Sequence, residues 1–275
     1  MVGPPVIVLS RRSYVIATEP AEHHLGHYPS LRMEIELLDT ANLPERVLVV
    51  VAHPDDIDFG IAGTAAVLTA AGTHVTYALC TSGEAGVPED MDRGALATMR
   101  QQEQRNAAAQ VGVSDVRFLG MPDGHLEANL ELRKVISRII RQVRPNVVIT
   151  QNPDRRYERI YASHPDHLAC GEATISAVYP DARNPHTHVE LIAEGLQPHT
   201  VEEVWIVTGT EPNLAVDITS RFDAKVAALS SHTSQITWIE DIDKLLRDWA
   251  AMTSHQNNLS ARAELVEVFQ RVKTT

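Results

Sequence analysis

Val47-Leu48-Val49-Val50-Val51-Ala52-His53-Pro54-Asp55-Asp56 runs an apolar, mostly β-branched segment straight into a histidine, a proline and two carboxylates. A short continuous run of this kind is the pattern of a strand buried on both faces of a parallel sheet. Open α/β sheets bind ligands at the carboxyl ends of their strands, so the segment predicts that the polar cluster is delivered to a site. Far downstream, His164-Pro165-Asp166-His167 repeats the combination of imidazole, proline and carboxylate. Zinc takes nitrogen and carboxylate oxygen ligands, and a catalytic zinc site keeps one position for water. Together the two clusters predict a metal-dependent hydrolase.

Within each cluster the outer pair, His53 with Asp56 and His164 with His167, is three residues apart. The clusters themselves are too distant in the chain to meet locally, so only a sheet can join them. A strand over residues 146–150 lying beside the strand over 47–51 would bring both loops to one rim. His53, Asp56 and His167 are the ligands this reading selects.

Outward from the first strand the chain alternates strand-like and helix-like segments, the signature of a parallel α/β sheet. Strands are expected over 74–80, 116–119, 204–207 and 214–218. Helices are expected over 60–71, 96–111, 130–143, 166–178, 222–229, 241–251 and 260–272. A polar loop over 151–163 carries Arg155, Arg156, Tyr157 and Arg159, and a Pro- and Asn-rich section over 179–198 makes the C-terminal part loop-rich. Residues 1–44 lack sustained periodicity and are expected as an N-terminal arm, with His23, His24 and His27 on it, leaving 45–275 as a single domain.

The 275 residues are 44% hydrophobic and 22% charged, enough for a sizeable core. A formal net charge of -12 argues against nucleic acid or an anionic membrane surface as partner. The segments carry no apolar stretch of membrane-spanning length, and the early apolar run over 5–9 is too short for a signal-peptide core. Cys80 and Cys170 are expected as buried free thiols, which fits a reducing, cytoplasmic setting.

The chain resembles the PIG-L/LmbE-like N-acetylglucosaminyl deacetylases over about residues 45–235. AHPDD at 52–56 and HPDH at 164–167 carry the resemblance, supported by TSGEAG at 81–86, RQQE at 100–103 and FLGMPDG at 118–124. It implies a Rossmann-like three-layer α/β sandwich with a mostly parallel sheet, one zinc ion per chain, and an N-acetylated amino sugar or its conjugate as substrate. It further implies His53, Asp56 and His167 as metal ligands, Asp55 as general base, and His164 as support for the oxyanion and leaving amine. Arg100 and Asp123 match family positions near the sugar, and also suit a helix ion pair and a turn. Asp58 stands where many members have Glu, and Ala162, preceded by Tyr161, stands where some carry Tyr.

Physical chemistry agrees with these roles. Water on zinc loses its proton near neutral pH, and a neighbouring carboxylate such as Asp55 can receive it, with Asp58 next in line. Asp166 is placed either to keep His164 cationic or to cap the following helix. Glu84, between Gly83 and Gly86, suits a sugar hydroxyl or a simple turn. His232 suits either the pocket lining or a helix end, whereas His125, His186, His188 and His199 are expected at the surface or in loops. Two other classes stay open. One is a metal-dependent phosphoesterase, which the Arg155, Arg156 and Arg159 loop favours. The other is a non-catalytic nucleotide-binding module, against which Gly60-Ile61-Ala62-Gly63 departs from a dinucleotide glycine pattern. A homo-oligomer is compatible with all three.

Overall fold

The computed structural model describes residues 8–10, 13–15, 35–88, 90–157, 160 and 163–275. Two units result. In the first, residues 1–33, strands β1 (Val8–Ser10) and β2 (Ser13–Val15) pair antiparallel. His23, His24 and His27 lie outside the described residues. In the second unit, β3 (Glu36–Leu37) pairs with a strand of the main sheet, so the described part of the expected arm from residue 35 onward belongs to the sheet-bearing unit.

β4 (Arg46–Val51) is the strand read from the sequence. Its side chains alternate between two buried clusters. Val47, Val49 and Val51 face one, and Leu48 and Val50 face the other, all at 0% exposure. Full burial contributes about 1.5 to 3 kcal/mol for each such side chain, so only a central strand uses the segment well. The remaining main-sheet strands are β5 (His74–Leu79), β6 (Asp115–Phe118), β7 (Val147–Gln151), β8 (Glu203–Val207), β9 (Leu214–Asp217) and β10 (Val266–Lys273). The sheet order is β3-β9-β10-β8-β7-β4-β5-β6. From β6 to β8 all neighbours are parallel, and β10 runs antiparallel to both β8 and β9.

The helices are α1 (Asp56–Gly60), α2 (Ala62–Ala70), α3 (Arg93–Gln110), α4 (Leu130–Val143), α5 (Pro165–Ser176), α6 (Val189–Ala193), α7 (Phe222–Ser230) and α8 (Ile242–Gln256). Residues of α2, α3, α7 and α8 share the cluster of Val49, and those of α4 and α5 share the cluster of Val50. The second unit is therefore the expected three-layer α/β arrangement. No described helix is long and apolar enough to cross a membrane.

Two expectations need correction. Residues 260–272 do not form a helix: 260–265 are turns and bends, and β10 follows. Val266 and Phe269 are buried against β9 and β8, with Phe269 paired to both Leu214 and Val207. Tertiary pairing on both sides outweighs the short-range pattern. The helix expected over 60–71 starts later, as α2 at Ala62, and is preceded across a break at Ile61 by the short α1. The break is held from afar. The Glu267 carboxylate on β10 accepts the Gly63 and Thr64 N–H groups at 3.1 and 2.7 Å, capping α2, while the Lys225 ammonium on α7 donates to Glu267 and to the Phe59 carbonyl.

Lys225 and Glu267 are both buried. Removing one partner of such a pair strands the other charge, so Glu267→Ala should lower unfolding free energy by about 3 to 5 kcal/mol in urea titrations. The double variant Lys225→Met/Glu267→Gln, which keeps an oxygen for the α2 amides, should recover most of that loss. A Glu267→Ala loss below about 1 kcal/mol would show that the clamp is energetically idle.

Candidate active site

β4 and β7 are neighbours with Val47 opposite Val147 and Val50 opposite Thr150. Their carboxyl ends therefore emerge side by side where the sheet order reverses, the crevice in which open α/β sheets bind ligands. The loop after β4 supplies His53, Asp55 and Asp56. The loop after β7 leads to His164, whose Nδ1 accepts the Asp166 N–H at 3.2 Å and caps α5, with Pro165 in the first turn. His167 consequently sits in the same first turn and faces the β4 loop.

Asp56 joins the two loops. Its Oδ1 lies 3.0 Å from His167 Nε2, and its Oδ2 lies 3.4 Å from His53 Nδ1 and accepts the His53 backbone N–H at 2.8 Å. On its other nitrogen, His53 Nε2 meets Asp123 Oδ1 at 3.0 Å and Asp166 Oδ2 at 3.2 Å. Those carboxylates hold the Nε2 proton and aim Nδ1 at Asp56. Two imidazoles and a carboxylate thus converge as a donor set suited to a divalent cation. The rings of His53, His164 and His167 lie 5.1 to 5.4 Å apart, and ring nitrogens of all three come within 4.8 Å of one another, as do donor atoms of His53, Asp123 and Asp166.

Without a cation, burial disfavours charge on His53, but Asp123, Asp166 and Asp56 outweigh it and raise its pKa to about 12. Against its burial, Asp56 is held well below the usual carboxylate range by His167 and His53. A cation held at Nδ1 would take the place of the additional proton.

Asp55 bonds outside this set, to α3. Its backbone is left-handed, φ 84°, a conformation that costs a non-glycine residue about 1 to 3 kcal/mol and persists only when surroundings enforce it. Enforcement comes from α3. The Asp55 N–H donates to Gln104 Oε1 at 3.0 Å, and Arg100 donates to the Pro54 carbonyl at 2.8 Å, the Gly83 carbonyl at 2.7 Å and Asp55 Oδ2 at 3.3 Å. A Cβ on Gly83 would fall 2.3 Å from Arg100 Nη1 and one on Gly86 would fall 2.7 Å from it, so these glycines make room for the guanidinium. Burial first, then the Asp56 charge, lift Asp55 to about 6, against the pull of Arg100, His232 and His53.

The other candidate residues take the following places. Arg100 is buried, and its guanidinium is engaged by the protein, placing it on Asp55. Asp123 is likewise buried, on His53, with its Oδ2 accepting the Ala85 N–H at 2.8 Å. Glu84 Oε1 accepts the Asp123 N–H at 2.9 Å, which is the turn alternative. The Asp166 carboxylate does not face His164. It contacts His53 and accepts the Gly124 and Leu126 N–H groups, leaving only its backbone amide on His164. In the metal-free protein burial, then the charges of His53 and His167, lower the His164 pKa. Asp58 is fully buried, with its Oδ2 2.7 Å from His232 Nε2. His188 and His199 lie in loops, the second of the two expected settings; His188 Nε2 lies 3.3 Å from Asp181 Oδ2 and His199 Nε2 lies 2.8 Å from the Pro145 carbonyl. Arg155 donates to the Ser163 carbonyl; Arg159, Tyr161 and Ala162 lie outside the described residues.

Sequence reasoning passed over Glu103 and Gln104. Glu103 accepts from Thr233 Oγ1, Ser234 N and Ser234 Oγ at 2.7 to 3.0 Å. Both belong to a buried polar stripe with Arg100 on α3, at the i, i+3, i+4 spacing of one helix face, and that spacing was the available signal.

A family model described as PIG-L, GlcNAc-PI de-N-acetylase, matches residues 48–178. The chain is 33% identical over 215 residues to the diacetylchitobiose deacetylase of Thermococcus kodakarensis, covering 78% of each chain. It is 34% identical over 201 residues to a probable N-acetyl-alpha-D-glucosaminyl L-malate deacetylase 2 of Bacillus subtilis, covering 70% of this chain and 84% of that one. Among solved structures, the N,N'-diacetylchitobiose deacetylase from Pyrococcus horikoshii superposes with a TM-score of 0.74 at 28% identity, covering 84% of both chains.

The Arg100 contact makes a measurable demand. In metal-free protein, the Asp55 carboxyl followed by NMR should titrate near 6. Arg100→Gln, which keeps a donor but removes the charge, should move that titration upward, because the guanidinium favours the ionised form. The ionised fraction at neutral pH then falls. An unmoved Asp55 titration would rule out Arg100 as its electrostatic partner.

Proposed function

This chain belongs to the PIG-L family, and from that premise we propose that it is a zinc-dependent deacetylase that hydrolyses the N-acetyl group of an N-acetylglucosamine conjugate. The observation that carries the reading is the opposite placement of two adjacent carboxylates. Asp56 spans His53 and His167, while Asp55 is rotated by its left-handed backbone onto Arg100 and Gln104. One carboxylate is thereby reserved for the cation and its neighbour for a proton.

His53, Asp56 and His167 would hold the zinc, one ion per chain. When bound, such an ion acidifies water and polarises the acyl carbonyl. Asp55, lifted toward neutrality, takes a proton from the attacking water and returns it to the amine nitrogen as the C–N bond breaks. The products are acetate and the free amino sugar. His164 acts as a neutral donor: because its Nδ1 accepts the Asp166 amide, the ring proton resides on Nε2, which can hydrogen-bond the developing oxyanion. Asp123 and Asp166 orient His53 from behind. Glu84 supports Asp123 through its backbone amide. The buried free thiols Cys80 and Cys170 accord with a cytoplasmic setting.

The curated relatives named above act on diacetylchitobiose and, by their names, on a glucosaminyl malate, which motivates the sugar class. Acetate release from a panel of N-acetylglucosaminides, including N,N'-diacetylchitobiose, should be detected and should stop on chelation. No release from any acetamido sugar, together with turnover of phosphate esters, would replace this reading with a phosphoesterase.

Two variants separate binding from proton transfer. His167→Ala should lose the bound metal, measured by elemental analysis after gel filtration. Asp55→Asn should retain it while kcat falls by about 10² to 10⁴, the usual contribution of a general base. A metal-loaded Asp55→Asn enzyme at wild-type rate would show that the base lies elsewhere.

A further inference from the structure

The segment Ser231-His232-Thr233-Ser234-Gln235 has no part in the chemistry above, yet His232 is fully buried and connected to it. His232 Nε2 lies 2.7 Å from Asp58 Oδ2. The same oxygen accepts Gln104 Nε2 at 3.0 Å, and Gln104 Oε1 accepts the Asp55 N–H at 3.0 Å. We propose that His232, Asp58 and Gln104 form a positioning relay that holds Asp55 in its left-handed backbone state and so sets how much of the enzyme has its base aimed into the site. The proposal rests on the reading of Asp55 as the base.

The relay has a direction imposed by hydrogen-bond polarity. A carboxylate accepts only, so Asp58 fixes the amide group of Gln104 with Nε2 toward itself. The carbonyl end must then face the Asp55 N–H. Turned over, the amide would set two donors against each other and release the backbone from its strained state. His232 supplies the donor that keeps Asp58 in place. Its loop is itself fastened to α3, because Glu103, the residue before Gln104, takes the Thr233 hydroxyl and the Ser234 amide and hydroxyl. One turn of α3 thus grips both ends of the relay.

The cost of the arrangement argues for a specific use. Asp58 Oδ1 and His232 Nδ1 are buried with no hydrogen-bond partner among the described residues. A buried polar pair satisfied on one side only is a poor source of stability compared with apolar side chains of the same volume. What it supplies is orientation, carried toward the site by the Gln104 amide.

Gln104→Met preserves volume and helix propensity while removing both relay contacts. With metal content unchanged, kcat should fall by about 10²-fold, the scale of a misplaced catalytic group, and KM should stay within about 2-fold. In an Asp55→Asn background the same substitution should cost nothing further, since no base remains to be positioned. In metal-free protein, hydrogen exchange at the Asp55 amide should accelerate in Gln104→Met and in Asp58→Asn, the second variant guarding against misfolding of the first. Losses that multiply in the Asp55→Asn background, or an Asp55 amide equally protected in both relay variants, would overturn the relay while leaving the base assignment standing. A full rate in Asp55→Asn alone would overturn the base assignment and the relay's function with it.

Discussion

The site depends on one pairing, the parallel register of β4 against β7. It places the turn carrying His53 and Asp56 next to the loop that starts α5, and Asp56 then closes the gap with one oxygen on each side. A one-residue slip would send the core-facing side chains of β4 to the opposite face. The burial of Val47 through Val51 against two different clusters resists that slip on both sides at once. Hydrophobic burial in the middle of the sheet therefore fixes the geometry of polar groups at its rim.

The site is dense in negative groups. Asp55, Asp56, Asp123 and Asp166 all converge on or beside His53, with the Arg100 guanidinium in contact with Asp55. Such a constellation is suited to a cation and hostile to a polyanionic substrate, which weighs against the phosphoester alternative. In the metal-free protein it also sets the direction of two shifts: three carboxylates raise the His53 pKa, while burial, then the charges of His53 and His167, lower that of His164.

The first strand, the paired clusters and the helix over 130–143 were legible because each is encoded locally. Apolar periodicity marks the elements, and Asn129 caps α4 at its expected start. What could not be read locally was the identity of partners. Asp166 belongs to His53 and not to His164, Arg100 serves Asp55, and Glu267 caps a helix some two hundred residues earlier in the chain. β10 was misread for a related reason: strand character there comes from neighbours on both sides, and periodicity within 260–272 does not report them. The buried polar stripe of α3 lay between these cases, visible in its spacing and silent about its targets.

The left-handed backbone at position 55 also has an evolutionary consequence. Glycine would relax that conformation at little steric cost, so the backbone by itself favours losing the aspartate. Selection for backbone ease alone would drift the chain toward an inert protein at this codon, and the buried Arg100 charge that Asp55 partners opposes it together with selection on turnover. Position 55 is thus a place where backbone ease and chemistry are in direct competition.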